Sequence, residues 1–396
     1  MANLIEVYSM LCGLKIEKPF ILTQFFPTAI NGNYISLHTD SELQAKQYSF
    51  FQDIVDLLYK PLINNNIKIM QIGAKNAKQL KRCYCTMGMT NLNQVAYLLQ
   101  HSSLHLGIDS FPIHVASSFN VPTIGLYGNT YPQQCGAFWG ENNTAFCGVP
   151  KDKKPSYQTT ENPKNINNIK VEDIAHAVFR HLNIDYKSKY KTVYIGSNYP
   201  NPALDAVPNN PEALKSFNPK QLVSIRMDLV FNQEVLHQYL STNPCVIVTD
   251  QPIDINLIGH YKKNGDKIKK VFYILNDNHN LTFVKQLRSL NVPFQLLSEK
   301  GDDINKYKLI YMDYGLVIEK QYPKLEDFKE FDNIDKGKLY YKSNKFILSG
   351  GKIFCSKESM VNDDPVPDFS QKFKKLKFTD NISEEFHNFY YTERVN

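Results

Sequence analysis

Residues 88–128 read GMTNLNQVAYLLQHSSLHLGIDSFPIHVASSFNVPTIGLYG, and their periodicity decides the fold. Leu92, Val95, Ala96, Leu98 and Leu99 recur at helical spacing, which predicts an amphipathic helix. Leu104 to Ile108 is an apolar run of strand length. Asp109-Ser110 then stands where a strand gives way to a helix, with Pro112 in the first turn, a start signal because proline needs no N–H there. The helix from Phe111 to Phe119 ends at Asn120, and Pro122 leads into a second strand, Thr123 to Tyr127, closed by Gly128-Asn129. Helix, strand, helix, strand is the pattern of a parallel sheet in an α/β protein.

Such a junction has a chemical use. A helix N-terminus offers unpaired N–H groups and the positive end of a dipole, both suited to phosphate. Open parallel sheets bind ligands beyond the carboxyl ends of their strands, where Asp109-Ser110 and Gly128-Asn129 both fall. His114 comes one helical turn after Ser110, so the two can face one ligand; the alternative for His114 is a core histidine on an inward helix face. Asp109 either caps the helix or orients ligand hydroxyls.

These residues carry a resemblance. Asp109-Ser110-Phe111-Pro112-Ile113-His114-Val115-Ala116, with Asn120-Val121-Pro122 and Gly125-Leu126-Tyr127-Gly128, resembles the donor-site signature of the ADP-heptose:lipopolysaccharide heptosyltransferases, glycosyltransferase family nine. That signature runs Asp-Ser/Thr-Gly-Pro-x-His-x-Ala, then Pro, then an apolar strand ending in Gly. Phe111 replaces its first Gly, so backbone approach to a phosphate differs here. Upstream, Tyr34 to His38, Lys46 with the helix to Leu58, and Lys68 to Gly73 resemble the family's first donor-domain strand, its Lys-helix segment and its next strand. The resemblance covers residues 33–182. It implies the GT-B fold, two Rossmann-like domains with a nucleotide-sugar in the cleft between them.

By that resemblance, Ser110, Phe111 and the N–H groups after them hold the donor diphosphate, with His114, Gly128 and Asn129 beside it, and Lys46 matches a phosphate-binding lysine. A cation there offsets charge building on the leaving group; a solvated helix lysine is the alternative. Lys153, Lys154 and Tyr157 lie in a long loop, Asn129 to Tyr157, from which a second cation can reach the diphosphate, or they are simply solvated. Phe138 and Trp139 either stack on a base or sugar or anchor that loop. The acceptor hydroxyl needs a base: Asp205 is the first candidate and Asp228 the second, each with a structural role as its alternative. The chain has no Asp-x-Asp to hold a metal–diphosphate complex, which fits metal-independent transfer with no cofactor beyond the nucleotide-sugar co-substrate. It also has no GxGxxG, GxxxxGK[ST] or GxSxG, so dinucleotide, P-loop and serine-hydrolase readings lose their best support.

Composition sets the outer bounds. With 396 residues the chain is long enough for two or three domains, and 12% aromatic with 21% charged residues describes a folded protein. The net charge of +6 is compatible with nucleic acid or anionic lipid and requires neither. Seven cysteines, no signal peptide and no membrane-spanning run suggest a reducing cytoplasm. Cys83-x-Cys85 with Cys135 and Cys147 lacks the paired C-x-x-C of a zinc site.

Along the chain the reading is a 1–32 arm, a donor-type Rossmann-like domain over 33–186, a second such domain over 190–327, and a hairpin with a tail over 328–396. The first domain takes a helix over Phe50 to Tyr59 and closes on a helix from Val171 to Leu182. In the second, strands are expected at Thr192 to Ile195, Leu222 to Ile225, Cys245 to Thr249, Val271 to Leu275, Phe294 to Leu297 and Leu309 to Met312. The hairpin joins Lys338 to Phe346 with Lys352 to Ser356 across Ser349-Gly350-Gly351, and the tail carries a basic run from Lys372 to Lys377. The donor-like domain comes first, the reverse of the family order, which suggests a permuted arrangement. What the resemblance implies is a glycosyltransferase acting on a surface glycan or lipopolysaccharide; a hydroxymethylated base of phage DNA is a second acceptor, reached by base flipping. A non-catalytic nucleotide or nucleotide-sugar binding module is the alternative from another class. The oligomeric state is left open.

Overall fold

The structure is a computed structural model that describes residues 2–210, 221–299, 304–320, 323–369, 372–377 and 385–395. The chain forms two compact units, Met1–Thr192 and Val193–Val395. No helix among the described residues is long and apolar enough to cross a membrane.

The first unit comprises α1 (Leu4–Cys12), β1 (Asn33–His38), α2 (Phe51–Asn64), β2 (Ile67–Ile72), β3 (Tyr84–Cys85), α3 (Leu92–Gln100), β4 (Leu104–Ile108), α4 (Phe111–Ser118), β5 (Thr123–Tyr127), α5 (Pro132–Cys135), β6 (Asn143–Cys147) and α6 (Val171–His181). Its strands form one parallel sheet in the order β3-β2-β1-β4-β5-β6. The two strands read from the opening stretch are its centre. Strands β4 and β5 are buried at every residue, as parallel strands covered on both faces must be. Val95, Ala96, Leu98 and Leu99 of α3 and Val115 and Ala116 of α4 pack over Tyr34, Met70 and Ile72. Helix α3 starts at an Asn91/Gln94 capping box. Helix α2 runs past the expected Tyr59 and through Pro61, because Leu62 extends the buried stripe of Phe51, Ile54, Val55 and Leu58.

The second unit follows from β7 (Tyr190–Ile195), inside which the boundary falls. Then come β8 (Ala203–Ala206), β9 (Val223–Arg226), α7 (Gln233–Thr242), β10 (Cys245–Thr249), α8 (Ile255–Lys263), β11 (Ile268–Leu275), α9 (Leu281–Ser289), β12 (Phe294–Ser298), α10 (Ile304–Tyr311) and β13 (Val317–Glu319). After these are β14 (Leu339–Ser343), β15 (Lys345–Ser349), β16 (Lys352–Phe354), α11 (Lys357–Val361), β17 (Lys374–Lys375) and β18 (Phe389–Arg394). Strands β8 to β13 add in sequence order and in parallel, and β15 joins the sheet on the far side of β8. Right-handed crossovers that all advance one way put α7 to α10 on one face, where their apolar residues share a core with Ile225, Ile247, Tyr273 and Leu296.

Three expectations need correction here. Thr192 to Ile195 does not open the second α/β sheet; β7 belongs to a separate four-stranded sheet, β17-β14-β18-β7. Leu309 to Met312 is not a strand: Tyr307 and Tyr311, four apart and buried, belong to helix α10, and the strand follows at β13. Lys338 to Phe346 is two strands, not one. The chain changes sheets at Asn344, whose Nδ2 donates to the Tyr199 carbonyl at 2.7 Å. The expected turn at Gly350-Gly351 is present, with both glycines at positive φ, and β15 also pairs in parallel with β8, so the hairpin extends the sheet of β8 to β13.

Asp205, the first candidate base, lies within β8 at 3% exposure. Its carboxylate takes Lys345 Nζ at 2.8 Å and Arg226 Nη1 at 3.3 Å. Arg226, equally buried, also makes a two-pronged bond to Asp228, Nε–Oδ1 2.8 Å and Nη2–Oδ2 2.7 Å. Burial alone raises a carboxyl pKa, but Lys345 and Arg226 hold that of Asp205 below its ordinary value. A folded-state pKa below the unfolded one contributes stability above the unfolded pKa of about 3.9 and loses it as pH falls through the lower folded value. Asp205→Asn leaves the buried Arg226 and the partly buried Lys345 short of a partner and is expected to cost about 3–5 kcal/mol. In urea melts the variant should lose less stability than the wild type between pH 5 and pH 3; parallel pH profiles would count against this role.

Candidate functional site

Strand β1 sits mid-sheet. The chain goes from it to β2 on one side, then returns to β4 on the other, so the order reverses between β1 and β4. A crevice at the carboxyl ends of the strands is the usual ligand site of such a sheet. Lys46 and Asp109 arrive there from opposite sides.

Lys46 ends the short 3-10 turn Gln44–Lys46 after β1. That turn is pinned from residues 159–161: Ala45 N donates to the Thr159 carbonyl at 3.0 Å, and the Gln44 amide exchanges bonds with the main chain of Glu161 at 3.2 and 2.9 Å. The Lys46 ammonium therefore has a set origin. It reaches Asp109 Oδ2 at 2.7 Å and the Asp109 carbonyl at 3.3 Å. The same Oδ2 accepts from Thr130 Oγ1 at 2.8 Å. Asp109 is thus not the cap of α4, because its carboxylate is drawn to Lys46 and Thr130. The N-cap is Ser110, in extended conformation and with no side-chain capping bond.

His114 lies one turn along α4, half-buried, and its buried Nδ1 has no hydrogen-bond partner among the described residues. Burial pushes its pKa down; Asp109 opposes the shift and Lys46 adds to it. Phe111 stands 43% exposed at the start of the helix.

The other wall follows β5. A Cβ on Gly128 would come within 2.5–2.8 Å of Cβ, N and Cα of Ile166, so only glycine lets that segment lie against the strand end. Asn129, at 2% exposure, donates to the Gln158 carbonyl at 2.9 Å and accepts the Tyr157 N–H on its own carbonyl at 3.0 Å. Its side-chain Oδ1 is buried and has no partner among the described residues. Tyr157, at φ 53°, is exposed and donates to Gln134 Oε1 at 2.5 Å. The long loop is therefore tied back to the site's rim. Lys153 and Lys154 are exposed on it, and no bond among the described residues joins Lys154 to Lys46 or Asp109.

Sequence reasoning missed Thr130 and a second polar pair at the end of β1. His38 Nε2 lies 3.2 Å from Asp40 Oδ1, and Asp40 Oδ2 accepts the Ala74 N–H at 3.1 Å. Gly73, at φ 150°, makes room, since a Cβ there would meet Asp40 Oδ1 at 2.2 Å. Behind them His105 is fully buried, 2.9 Å from Ser36 Oγ, with its pKa pushed down to about 3 by burial and by the charge of His38. The signal for these was the polar run His38 to Ser41 at a strand end. All seven cysteines are free thiols, and among the described residues no group of three or more His, Cys, Asp or Glu has the geometry to hold a metal.

Residues 64–166 match the sequence model of glycosyltransferase family 9 (heptosyltransferase). Over 102 residues the chain is 30% identical to lipopolysaccharide heptosyltransferase 3 of Escherichia coli (strain K12), an alignment that covers 26% of this chain and 29% of that one. Similar solved structures include the glycosyl transferase family 9 protein of Veillonella parvula, 19% identical over 38% of this chain and 46% of that chain, TM-score 0.33. Another is E. coli ADP-heptose LPS heptosyltransferase II, 18% identical over 39% of this chain and 48% of that chain, TM-score 0.32. The chain thus spans less than a third of the length of that curated relative and just under half of each of these structures. The resemblance read from Asp109 to Gly128 falls within the matched segment; Lys46 lies before it.

Gly128→Ala tests how tightly the rim is built. With backbone atoms of Ile166 in the way, the substitution is expected to cost about 1–3 kcal/mol, the usual penalty of overpacking. A denaturant midpoint equal to wild type would show that the segment around Ile166 shifts freely.

Proposed function

We propose that this chain transfers a glycosyl group from a nucleotide diphosphate sugar to an acceptor hydroxyl. The acceptor oxygen bonds to the anomeric carbon, the bond from that carbon to the diphosphate oxygen breaks, the nucleotide leaves with the electron pair, and a base takes the hydroxyl proton. The observation that carries this reading is the coincidence of the family 9 segment, residues 64–166, with the helix N-terminus and polar rim at the strand-order reversal.

In this reading the diphosphate lies against the start of α4, on Ser110 and the N–H groups beside it, with His114 donating to a phosphate oxygen. Lys46 exchanges Asp109 for the leaving diphosphate and offsets its charge, so transfer proceeds without a metal. The main chain at Gly128 and Asn129 forms the far wall. Phe111, Lys154 and Tyr157 border the donor from the exposed side. Both candidate bases are already engaged, Asp205 by Lys345 and Arg226 and Asp228 by the fork of Arg226, so neither is assigned as the base. The names of the relatives favour a lipopolysaccharide or other surface glycan as acceptor. A DNA base is the second candidate, which the net charge of +6 permits, distinguished by an affinity that falls steeply with salt. A donor-binding module without turnover is the competing reading, favoured by a family match that ends at residue 166, before the second unit begins.

Transfer or donor hydrolysis across a panel of nucleotide sugars decides between enzyme and module. Lys46→Ala and Ser110→Ala are expected to lower kcat by about 10²–10³-fold, the usual effect of losing a group that stabilises transition-state charge. Rates within twofold of wild type would remove the site assignment. The His114 pKa lies below its ordinary value in the free protein, and a bound diphosphate would raise it. Nucleotide-sugar affinity should therefore tighten as pH falls from 7 toward 5. His114→Gln should abolish that dependence; an unchanged slope would mean that another group binds the proton.

A further inference from the structure

The arm before β1 departs from the burial rule that the rest of its unit obeys. Helix α1 has no buried residue. Six large apolar side chains, Tyr8, Met10, Leu11, Leu14, Phe20 and Phe25, stand 61–91% exposed within eighteen consecutive positions. Exposed apolar side chains clustered this densely along one segment of a folded unit point to an interaction site.

The arm is anchored. Helix α1 begins at an Asn3/Glu6 capping box and ends on Gly13 at φ 64°. Asn3 Nδ2 donates to the Gly136 carbonyl at 3.3 Å. At the other end Gln24 N donates to the Asn93 carbonyl at 3.0 Å, Asn91 Nδ2 donates to Gln24 Oε1 at 2.8 Å, and Phe25 meets Tyr97 edge to face at 5.4 Å. The exposed side chains between these anchors are presented by an ordered backbone.

Charge and area indicate the occupant. Residues 2–32 hold two lysines and two glutamates, while the whole chain is +6. Helix α1 has no Lys or Arg, and its Glu6 is spent on the cap. A helix that lies on a lipid surface carries a cationic polar face, which this one lacks. Two copies of a +6 chain repel over most of their surface, but not where a neutral apolar patch meets its own image. An aromatic side chain has roughly 150–250 Å² to bury and a large aliphatic one somewhat less, so these six offer on the order of 800 Å², one partner's share of a standard interface. We propose that the arm is an isologous dimer interface, covered by the arm of a second copy of this chain.

The full chain should sediment as a dimer over a hundredfold range of concentration. Leu11→Ser with Phe20→Ser should weaken the dimer at least tenfold and give single-chain mass, with the circular dichroism spectrum of the separated chains as in wild type, because neither side chain is in the core. A second double variant, Met10→Lys with Leu14→Lys, should do the same by like-charge repulsion. Single-chain mass at every concentration, or a dimer that survives both double variants, overturns the proposal. So does a chain that stays monomeric and instead co-floats with phosphatidylcholine or phosphatidylserine vesicles.

Discussion

The ion pair between Lys46 and Asp109 ties the first unit together where its strand order reverses. Its two halves come from positions 63 residues apart, one after β1 and one after β4. Neither partner reaches the other unless both strands end at the same height, as the parallel register requires: His38 pairs with Gly107, two positions before Asp109. The pair then draws in Thr130 from the end of β5. Three strand ends are thereby linked through one carboxylate, and α4 is left to begin without its aspartate as a cap.

That arrangement depends on close approach as well as charge. A Cβ on Gly107 would meet His105 Nε2 at 2.8 Å and the His38 carbonyl at 3.3 Å; one on Gly125 would meet the Tyr127 ring at 2.7 Å and Ile113 at 3.0 Å. These glycines pair with each other in β4 and β5. Gly107 leaves room for the His105 ring, while Gly125 lets Ile113 of α4 close onto the sheet and leaves volume for the Tyr127 ring, whose hydroxyl pKa burial pushes up. Packing thus sets where the helix N-terminus opens, and the polar residues occupy the rim it creates.

The first unit was legible because its signals are local. The α3 stripe, the β4 run, the Pro112 start and the β5 run each lie within a dozen residues, and each became the element expected. The site's polar partners were less legible because they are non-local: nothing near Asp109 in sequence announces Lys46 or Thr130 as its partners, so a capping role looked equally good. In the second unit, Leu309 to Met312 is a short apolar run that a strand and a helix explain equally well, and only burial of Tyr307 and Tyr311 decides it. Residues 338–346 were beyond local reading, since Asn344 changes sheets through a bond to Tyr199, 145 positions away.

The Arg226 cluster and the Lys46–Asp109 pair differ in what they can exchange. In the second unit Arg226 is 4% exposed in its side chain, its guanidinium is forked onto Asp228, and Asp205 is shared with Lys345. Taking one partner from such a cluster strands a buried charge, at a cost of about 3–5 kcal/mol. No ordinary ligand recovers that from one phosphate contact, so the cluster acts as scaffold. Lys46 differs: its side chain is 19% exposed, and the ammonium holds one carboxylate oxygen and one carbonyl. Asp109 keeps Thr130 if the lysine leaves. An incoming phosphate oxygen can replace Asp109 as the lysine's partner with no loss at the ammonium, but Asp109, 7% exposed, is then left with Thr130, so the exchange is favourable only where the charge on the phosphate outweighs that loss. Chemistry that needs a cation to move from protein to substrate belongs where the existing pair is strong enough to position that cation and exposed enough to release it.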